Sequence, residues 1–516
     1  MFVLRAIIDI SLKEKRSTYI TYYDVSKAYD NVDNSDLLVT MWEKGLRGKC
    51  WRILKNLNTN LTASVKTRFG PTREIKMEIG GKQGSRLTGR MFAKMMDLIS
   101  EELDETDLGF KITEDFLIAV LLWVDDVISC TEGKISQQQM LDKLNDFATK
   151  HKLKWGQAKC KIMKVGKHDK TTDEWKLGEM KIEETDKYRY LGDVITPDGK
   201  NFENIQSRKN KVQATTVNIN TIASSETLHN IETIVILELH EKICIPGFLN
   251  NCESWKLTKK EEMELEKIEL QAIKYFFNLP IHTPSVAIVY TLGILYTTQR
   301  IDQIQLLYLQ KILKRNDIDW AKSTLNTLKE KNIGWFVNIV NILQKYSLPT
   351  DFDTIANLPV ARWKNTVKMV IEETNKERIK NDLHKHDNGT DVLKTKTRSI
   401  FDKITDPNYT RKPVDEILRL TKNETKTLII ARYGMLECGQ NFKGTARPTC
   451  TVCDKTDNEY HRLNDCKRWV GSNFYGTSDK ADFDLIYSSD IDTIKTILPK
   501  ICFVWNTRNA NGTMQK

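Results

Sequence analysis

Residues Phe116–Cys130 are apolar except for Asp125, Asp126 and Ser129. An apolar run of this length must be buried, and two adjacent carboxylates inside it are costly to bury unless cations offset them. The pattern predicts a buried strand, a tight turn holding both aspartates, and a second strand. The longest unbroken apolar stretch, Phe116–Val124, has nine residues, whereas a membrane helix needs about 20. The start, Met1-Phe-Val-Leu-Arg, lacks the basic, apolar and small-residue regions of a secretory signal. Ten cysteines scattered over 516 residues do not make a disulfide scaffold, so an intracellular, reducing setting is expected, in the nucleus or cytoplasm. A net charge of +10 favours a polyanionic partner.

Around this hairpin the first two hundred residues mix strands and helices. Thr18–Val25 is β-branched and aromatic and predicts a strand ending at Asp24. Ser35 is positioned to cap a helix carrying Leu37, Leu38, Met41 and Trp42, with Gly45 stopping it. Leu61–Phe69 and Glu74–Ile79 are expected strands. Phe92, Met95, Met96, Ile99 and Leu103 share one helix face, as do Met140, Leu141, Leu144 and Phe147. Short strands are expected at Lys161–Val165, Lys176–Ile182 and Tyr188–Ile195. Beyond Pro197 the pattern turns helical: Thr258-Lys-Lys-Glu261 is a capping box, and Thr283-Pro284 opens a helix that Gly293 closes. Residues 350–430 are lysine-rich helices with a loop around Asn381–Thr397.

The order of the short motifs carries more than any one of them. Tyr23-Asp24-Val25-Ser26-Lys27-Ala28-Tyr29-Asp30 resembles motif A of the reverse transcriptases of non-LTR (LINE-type, jockey-like) retrotransposons. Gly81–Thr88 (GKQGSRLT) is similar to their motif B, and Trp123-Val124-Asp125-Asp126 to motif C. Lys154–Met163 resembles motif D, and Tyr190-Leu191-Gly192 motif E, the primer grip. Pro246–Trp255 and Leu279–Gly293 resemble landmarks that follow the palm. Three positions depart from the family pattern: Val124 before the aspartate pair, Gly156 in motif D and Gly89 after motif B.

The resemblance implies an α+β fold: a right-hand polymerase palm with an antiparallel sheet, then a mostly helical thumb and connector, then a CCHC zinc knuckle. The expected divisions are 1–197 palm with a fingers remnant, 198–345 thumb, 346–436 connector, 437–470 knuckle and 471–516 tail. It implies that Asp24, Asp125 and Asp126 bind two Mg²⁺, with the Val25 carbonyl as a further ligand. Tyr29 would wall off the incoming sugar, Gln83 and Gly84 would contact nucleotide and template, and Lys159 would lie near the leaving pyrophosphate. The implied activity is RNA-directed DNA synthesis from a DNA 3′-OH with dNTPs on an RNA template, with no membrane involved. About 23 residues precede motif A, against a much longer fingers region in the family. The expectation is therefore an N-terminally truncated chain whose fingers and endonuclease are absent or supplied by another chain. A nucleic-acid-binding remnant that no longer polymerises is the rival reading, and a group II intron-type maturase a further one.

Cys450, Cys453, His461 and Cys466 have the ligand types and spacing of a structural Zn²⁺ site. A redox CxxC would need neither the histidine nor the third cysteine. The neighbouring Lys455, Arg462, Lys467, Arg468 and Trp469 suit contact with nucleic acid, and equally an ordinary solvated surface.

Overall fold

The computed structural model describes residues 1–77, 79–81, 85–168, 173–223, 231–387 and 417–432, with 453–454, 492, 494–499 and 501. The described chain divides into two compact units. The first comprises Met1–Asn204, Ser254–Lys256 and Lys311–Asn341, and the second the remainder.

The first unit is built on a six-stranded sheet whose central strand is β1 (Ser17–Asp24). The other long strands are β9 (Asp126–Glu132) and β10 (Lys161–Gly166), both antiparallel to β1 and on either side of it. Strand β8 (Val120–Trp123) continues the sheet beyond β9, and β12 (Met180–Glu184) and β11 (Trp175–Leu177) continue it beyond β10. The residues Tyr19–Tyr23 are all buried. Strand β1 therefore lacks polar–apolar alternation because both its faces are covered. On one face Tyr19 and Tyr23 join a core with α5 (Arg86–Asp104) and α6 (Lys134–Lys150). On the other, Tyr22 stacks on Tyr188, with ring centroids 4.0 Å apart. Buried polar side chains of β1 are paired: Tyr23 with Ser129, and Thr21 with Gln137 of α6, which also bonds Thr131.

Several local expectations are refined. Helix α1 (Phe2–Glu14) precedes β1, and the one-turn helix α2 (Ala28–Asn31) follows it. Helix α3 (Asn34–Glu43) is capped by Asp33, which accepts the Ser35 amide, so the cap lies two residues before the expected Ser35. Asp33 wins because Lys152 also holds its carboxylate, keeping its pKa low, at about 2. Helix α4 (Gly48–Asn58) follows. The segment 61–77 forms a narrow ribbon of four two-residue strands, β2 (Thr62–Ala63), β3 (Lys66–Thr67), β4 (Gly70–Pro71) and β5 (Ile75–Lys76), paired β2 with β5 and β3 with β4. The apolar run breaks at Ala119: β7 (Phe116–Ile118) pairs with β6 (Phe110–Thr113), while β8 pairs with β9. Two further expected strands are hairpins. Gly178 turns β11 into β12, and Leu191-Gly192 turns β13 (Tyr188–Tyr190) into β14 (Asp193–Ile195), with positive φ at all three.

The second unit is helical. It contains α8 (Thr233–Leu239), a π-helical turn over His240–Cys244, α9 (Ile245–Phe248), α10 (Lys259–Phe276), α11 (Ser285–Leu292), α12 (Thr297–Leu313, as far as Gln310) and α16 (Val360–Asp387). Helix α7 (Phe202–Ala223) leads into it, and α13 (Trp320–Lys331) belongs to the first unit, where Lys331 pairs with Glu14. Thr258 and Glu261 form both bonds of the capping box, and Gly293 ends α11 at φ 62°. Helix α16 continues through Asn381–Asp387, the start of the expected loop. No described helix is long and apolar enough to cross a membrane.

Candidate active site

The site is assembled by strand register. Asp24 ends β1 and lies directly opposite Asp126, the first residue of β9. Asp126 also pairs with Trp123 of β8, so Val124 and Asp125 form a two-residue turn. Val124 adopts φ 58° there, a left-handed conformation that is strained for a β-branched residue and holds the turn tight. Side chains alternate along a strand, so Asp24 shares its face with Tyr22, which stacks on Tyr188.

The segment after α6 closes the edge. Gly156 donates its amide to the Asp24 carbonyl at 2.8 Å, and Ser26 donates to the Lys154 carbonyl at 2.8 Å. These bonds flank a Val25–Trp155 bridge and leave the Val25 carbonyl outside it. Lys159 donates to Asp24 Oδ1 at 2.9 Å. A Cβ on Gly156 would stand 2.8 Å from Asp24 Oδ2, so only glycine leaves that carboxylate its position. The motif D position that departs from the family pattern thus lies, like Lys159, against Asp24.

The electrostatics fit crowded carboxylates. Burial, then Asp125, then Asp24 raise the pKa of Asp126, and Lys159 partly offsets them. Lys159 is raised in turn, first by its hydrogen bond to Asp24. The Tyr188 hydroxyl is pushed up to about 12 by burial and then by Asp24, with Cys160 and Asp126 adding to it. Burial raises Tyr190 too, with Asp126 next. The hairpin carrying Tyr190, Leu191 and Gly192 therefore lies within electrostatic reach of the aspartates. Tyr188, which stacks at that point, is absent from the sequence-based site; its position in a three-residue strand gave no separate signal.

Tyr29 sits on α2, half-buried, its ring 5.6 Å from that of Phe92 on α5. Its backbone carbonyl accepts the Gly81 amide, and its hydroxyl lies beside Gly89. A Cβ on Gly81 would come within 2.3 Å of Thr88, so the two ends of motif B press together. Ser85 caps α5 by accepting from Thr88. Gln83 and Gly84 lie outside the described residues, as do Cys450, His461 and Cys466 of the expected zinc site, leaving Cys453 alone within them.

Three carboxylates offer the hard oxygen donors that Mg²⁺ takes. By donor chemistry the residues suit the ion. Among the described residues, no group of three or more His, Cys, Asp and Glu side chains is already drawn together as a metal site. The Asp24 carboxylate is held by Lys159 instead.

Residues 3–195 match the family described as "Reverse transcriptase (RNA-dependent DNA polymerase)". The chain is 26% identical over 207 residues to the "Retrovirus-related Pol polyprotein from type-2 retrotransposable element R2DM" of Drosophila melanogaster, covering 38% of this chain and 19% of that one. It is 26% identical over 211 residues to the corresponding polyprotein of the type-1 retrotransposable element R2 of Nasonia vitripennis, covering 38% and 20%. The chain thus spans about a fifth of the length of these curated relatives. Similar solved structures include telomerases of Candida tropicalis (TM-score 0.32, 15% identity, 71% of this chain and 52% of that one) and Candida albicans (0.32, 16%, 70% and 52%), both described in complex with a fragment of telomeric RNA. The segment 3–195 thus matches the reverse transcriptase family, and over about 38% of its length the chain is similar to Pol polyproteins of R2 retrotransposable elements.

Proposed function

We propose that this chain is an RNA-directed DNA polymerase that extends a DNA 3′-OH on an RNA template. The observation that carries the reading is the register that sets Asp24 opposite Asp126, with Asp125 in the adjoining turn and Lys159 on Asp24. Asp24, Asp125 and Asp126, with the Val25 carbonyl, would hold two Mg²⁺ ions. Such a pair, when bound, stabilises the attacking and leaving oxygens of an in-line phosphoryl transfer.

The chain's own residues do the positioning. The Gly156 amide fixes the Asp24 backbone, and the strained Val124 fixes the turn. Lys159, beside Asp24, would offer its amine to the pyrophosphate oxygens. Tyr29, braced on Phe92, presents an aromatic wall that would reject a ribose 2′-OH by bulk. Gln83 and Gly84 would contact nucleotide and template, and the Tyr190–Gly192 turn would steady the primer end. Cys450, Cys453, His461 and Cys466 would hold a structural Zn²⁺ in a knuckle that contacts nucleic acid.

Primer extension on an RNA template with Mg²⁺ and dNTPs tests the reading. Wild-type protein should extend the primer and Asp125→Ala should not. Equal background in both would leave only a nucleic-acid-binding role.

A further inference from the structure

Between α3 and α5 the chain places a large share of its charge on exposed side chains. Residues 47–76 hold eight basic side chains against Glu74, a net +7 in a chain whose total is +10. All eight are exposed. Among the described residues, Arg47, Lys49, Arg52, Lys55, Lys66 and Arg68 form no salt bridge with a carboxylate. Like charges at this density repel one another, so the arrangement costs folding free energy that an anionic partner would recover.

The same segment exposes apolar groups that a solvated charged face would lack. Helix α4 buries only Leu54 and leaves Ile53 and Leu57 exposed. At the ribbon's tip Phe69 is 85% exposed, with the Arg68 guanidinium 4.6 Å from its ring centre. At the base, Trp42 and Trp51 meet edge to face at 5.0 Å, with Arg47 over Trp42 at 3.9 Å. The ribbon strands bury no side chain, and an isolated two-stranded ribbon is marginal in water. Cation-flanked aromatic rings along a basic track are the chemistry that stacks unpaired bases while neutralising their phosphates. A duplex offers no free base faces to a ring at a hairpin tip.

We propose that α4 and the ribbon 61–77 form a docking surface for single-stranded RNA, with Phe69 as a stacking platform and Arg68, Lys66 and Arg73 on the phosphates. The choice of RNA rests on the polymerase reading; the stacking surface rests on the residues above.

The test is anisotropy of a labelled, unstructured RNA 20-mer, without primer, titrated with the full chain at several salt concentrations. Phe69→Ala should weaken binding about 5- to 100-fold, the range for losing one stacked base. The triple variant Lys66→Gln/Arg68→Gln/Arg73→Gln should flatten the log–log salt dependence by about 0.7 for each lost contact. Both variants should melt like wild type, since the side chains are exposed. Unchanged affinity and salt slope would overturn the proposal. So would losses seen only with duplex RNA, or only with anionic phospholipid vesicles, the partner a basic amphipathic helix could otherwise serve. Primer extension by the wild type is scored separately. Extension with RNA binding indifferent to both variants sinks this surface alone, and no extension with sensitive binding sinks the polymerase reading alone.

Discussion

Gly156→Ala isolates the position of one carboxylate from everything else the site needs. The new methyl would stand 2.8 Å from Asp24 Oδ2, where ordinary contact begins near 3.4 Å, so the carboxylate must retreat by about 0.6 Å. Gly156 has no positive φ, so alanine meets no backbone strain there. The chain entropy lost from the unfolded state should contribute about 0.4–1 kcal/mol toward stability and offset much of the crowding. A reacting group misplaced by about 1 Å can cost a hundredfold in rate, so a shift of this size should cost about 10- to 100-fold. The assay is single-turnover primer extension with Mg²⁺ beside a thermal melt, with Gly247→Ala as control because a Cβ there meets nothing within 4 Å. The expected result is a slow Gly156→Ala with a melting temperature near wild type, and a control unaffected in rate. Wild-type extension by Gly156→Ala would refute the claim that glycine is there to seat Asp24. A large drop in melting temperature would assign the loss to folding instead.

Three further outcomes follow from packing and charge. Gly192→Ala forces a Cβ onto φ 91° in the β13–β14 turn and should cost about 1–2 kcal/mol by denaturant unfolding, weakening the hairpin beside the aspartates. Thr258→Ala removes the hydroxyl that accepts the Glu261 amide at the start of α10, leaves the Thr258 amide on the Glu261 carboxylate, and should cost about 1 kcal/mol in the same assay. In the second unit His240 and Glu269 are buried 3.4 Å apart, and Arg300 lies 3.8 Å from the same carboxylate. Burial works against the charge on His240, but Cys244 and Glu269 raise its pKa to about 9. A raised folded pKa gives stability that is fully present below about 6.5 and lost as pH rises through about 9. Unfolding free energy should therefore fall across that window. In Glu269→Ala that fall should vanish, with a loss of about 3–5 kcal/mol at pH 6 from stranding the buried His240 charge, while Arg300 keeps its bidentate pair with Glu241.

Much of the first unit was legible because burial writes itself into residue type. The β-branched, aromatic run Thr18–Val25 reads as a strand, and the apolar stretch around Asp125-Asp126 as a buried hairpin, and the structure has both. The capping box at Thr258 and the Pro284–Gly293 bracket were legible because caps depend on local geometry alone. What escaped depends on contacts distant in sequence. Asp33 takes the cap from Ser35 because Lys152, 119 residues away, holds its carboxylate. The breaks at Ala119, Gly178 and Leu191-Gly192 each divide a stretch expected as one strand, since the partner strand decides where pairing changes.

The candidate site shows the same division between what residue type dictates and what position dictates. Asp24, Asp125, Asp126 and Lys159 are conspicuous as charges beside apolar strands, so the sequence could nominate them. Gly156 carries no chemistry of its own, and in the sequence it registered only as a departure from a family pattern. Its work is negative: it withholds a Cβ from the space that Asp24 Oδ2 occupies, while its amide holds the Asp24 carbonyl. Burial, then Asp125 and Asp24, raise the pKa of Asp126, and like charges set this close favour dispersal. Against it stand the β1–β9 register, the Val124 turn and the Gly156 clamp, none of which is a titrating group. The cation-hungry edge is therefore a property of the backbone that the aspartates exploit, and substitutions that leave every carboxylate in place can still dismantle it.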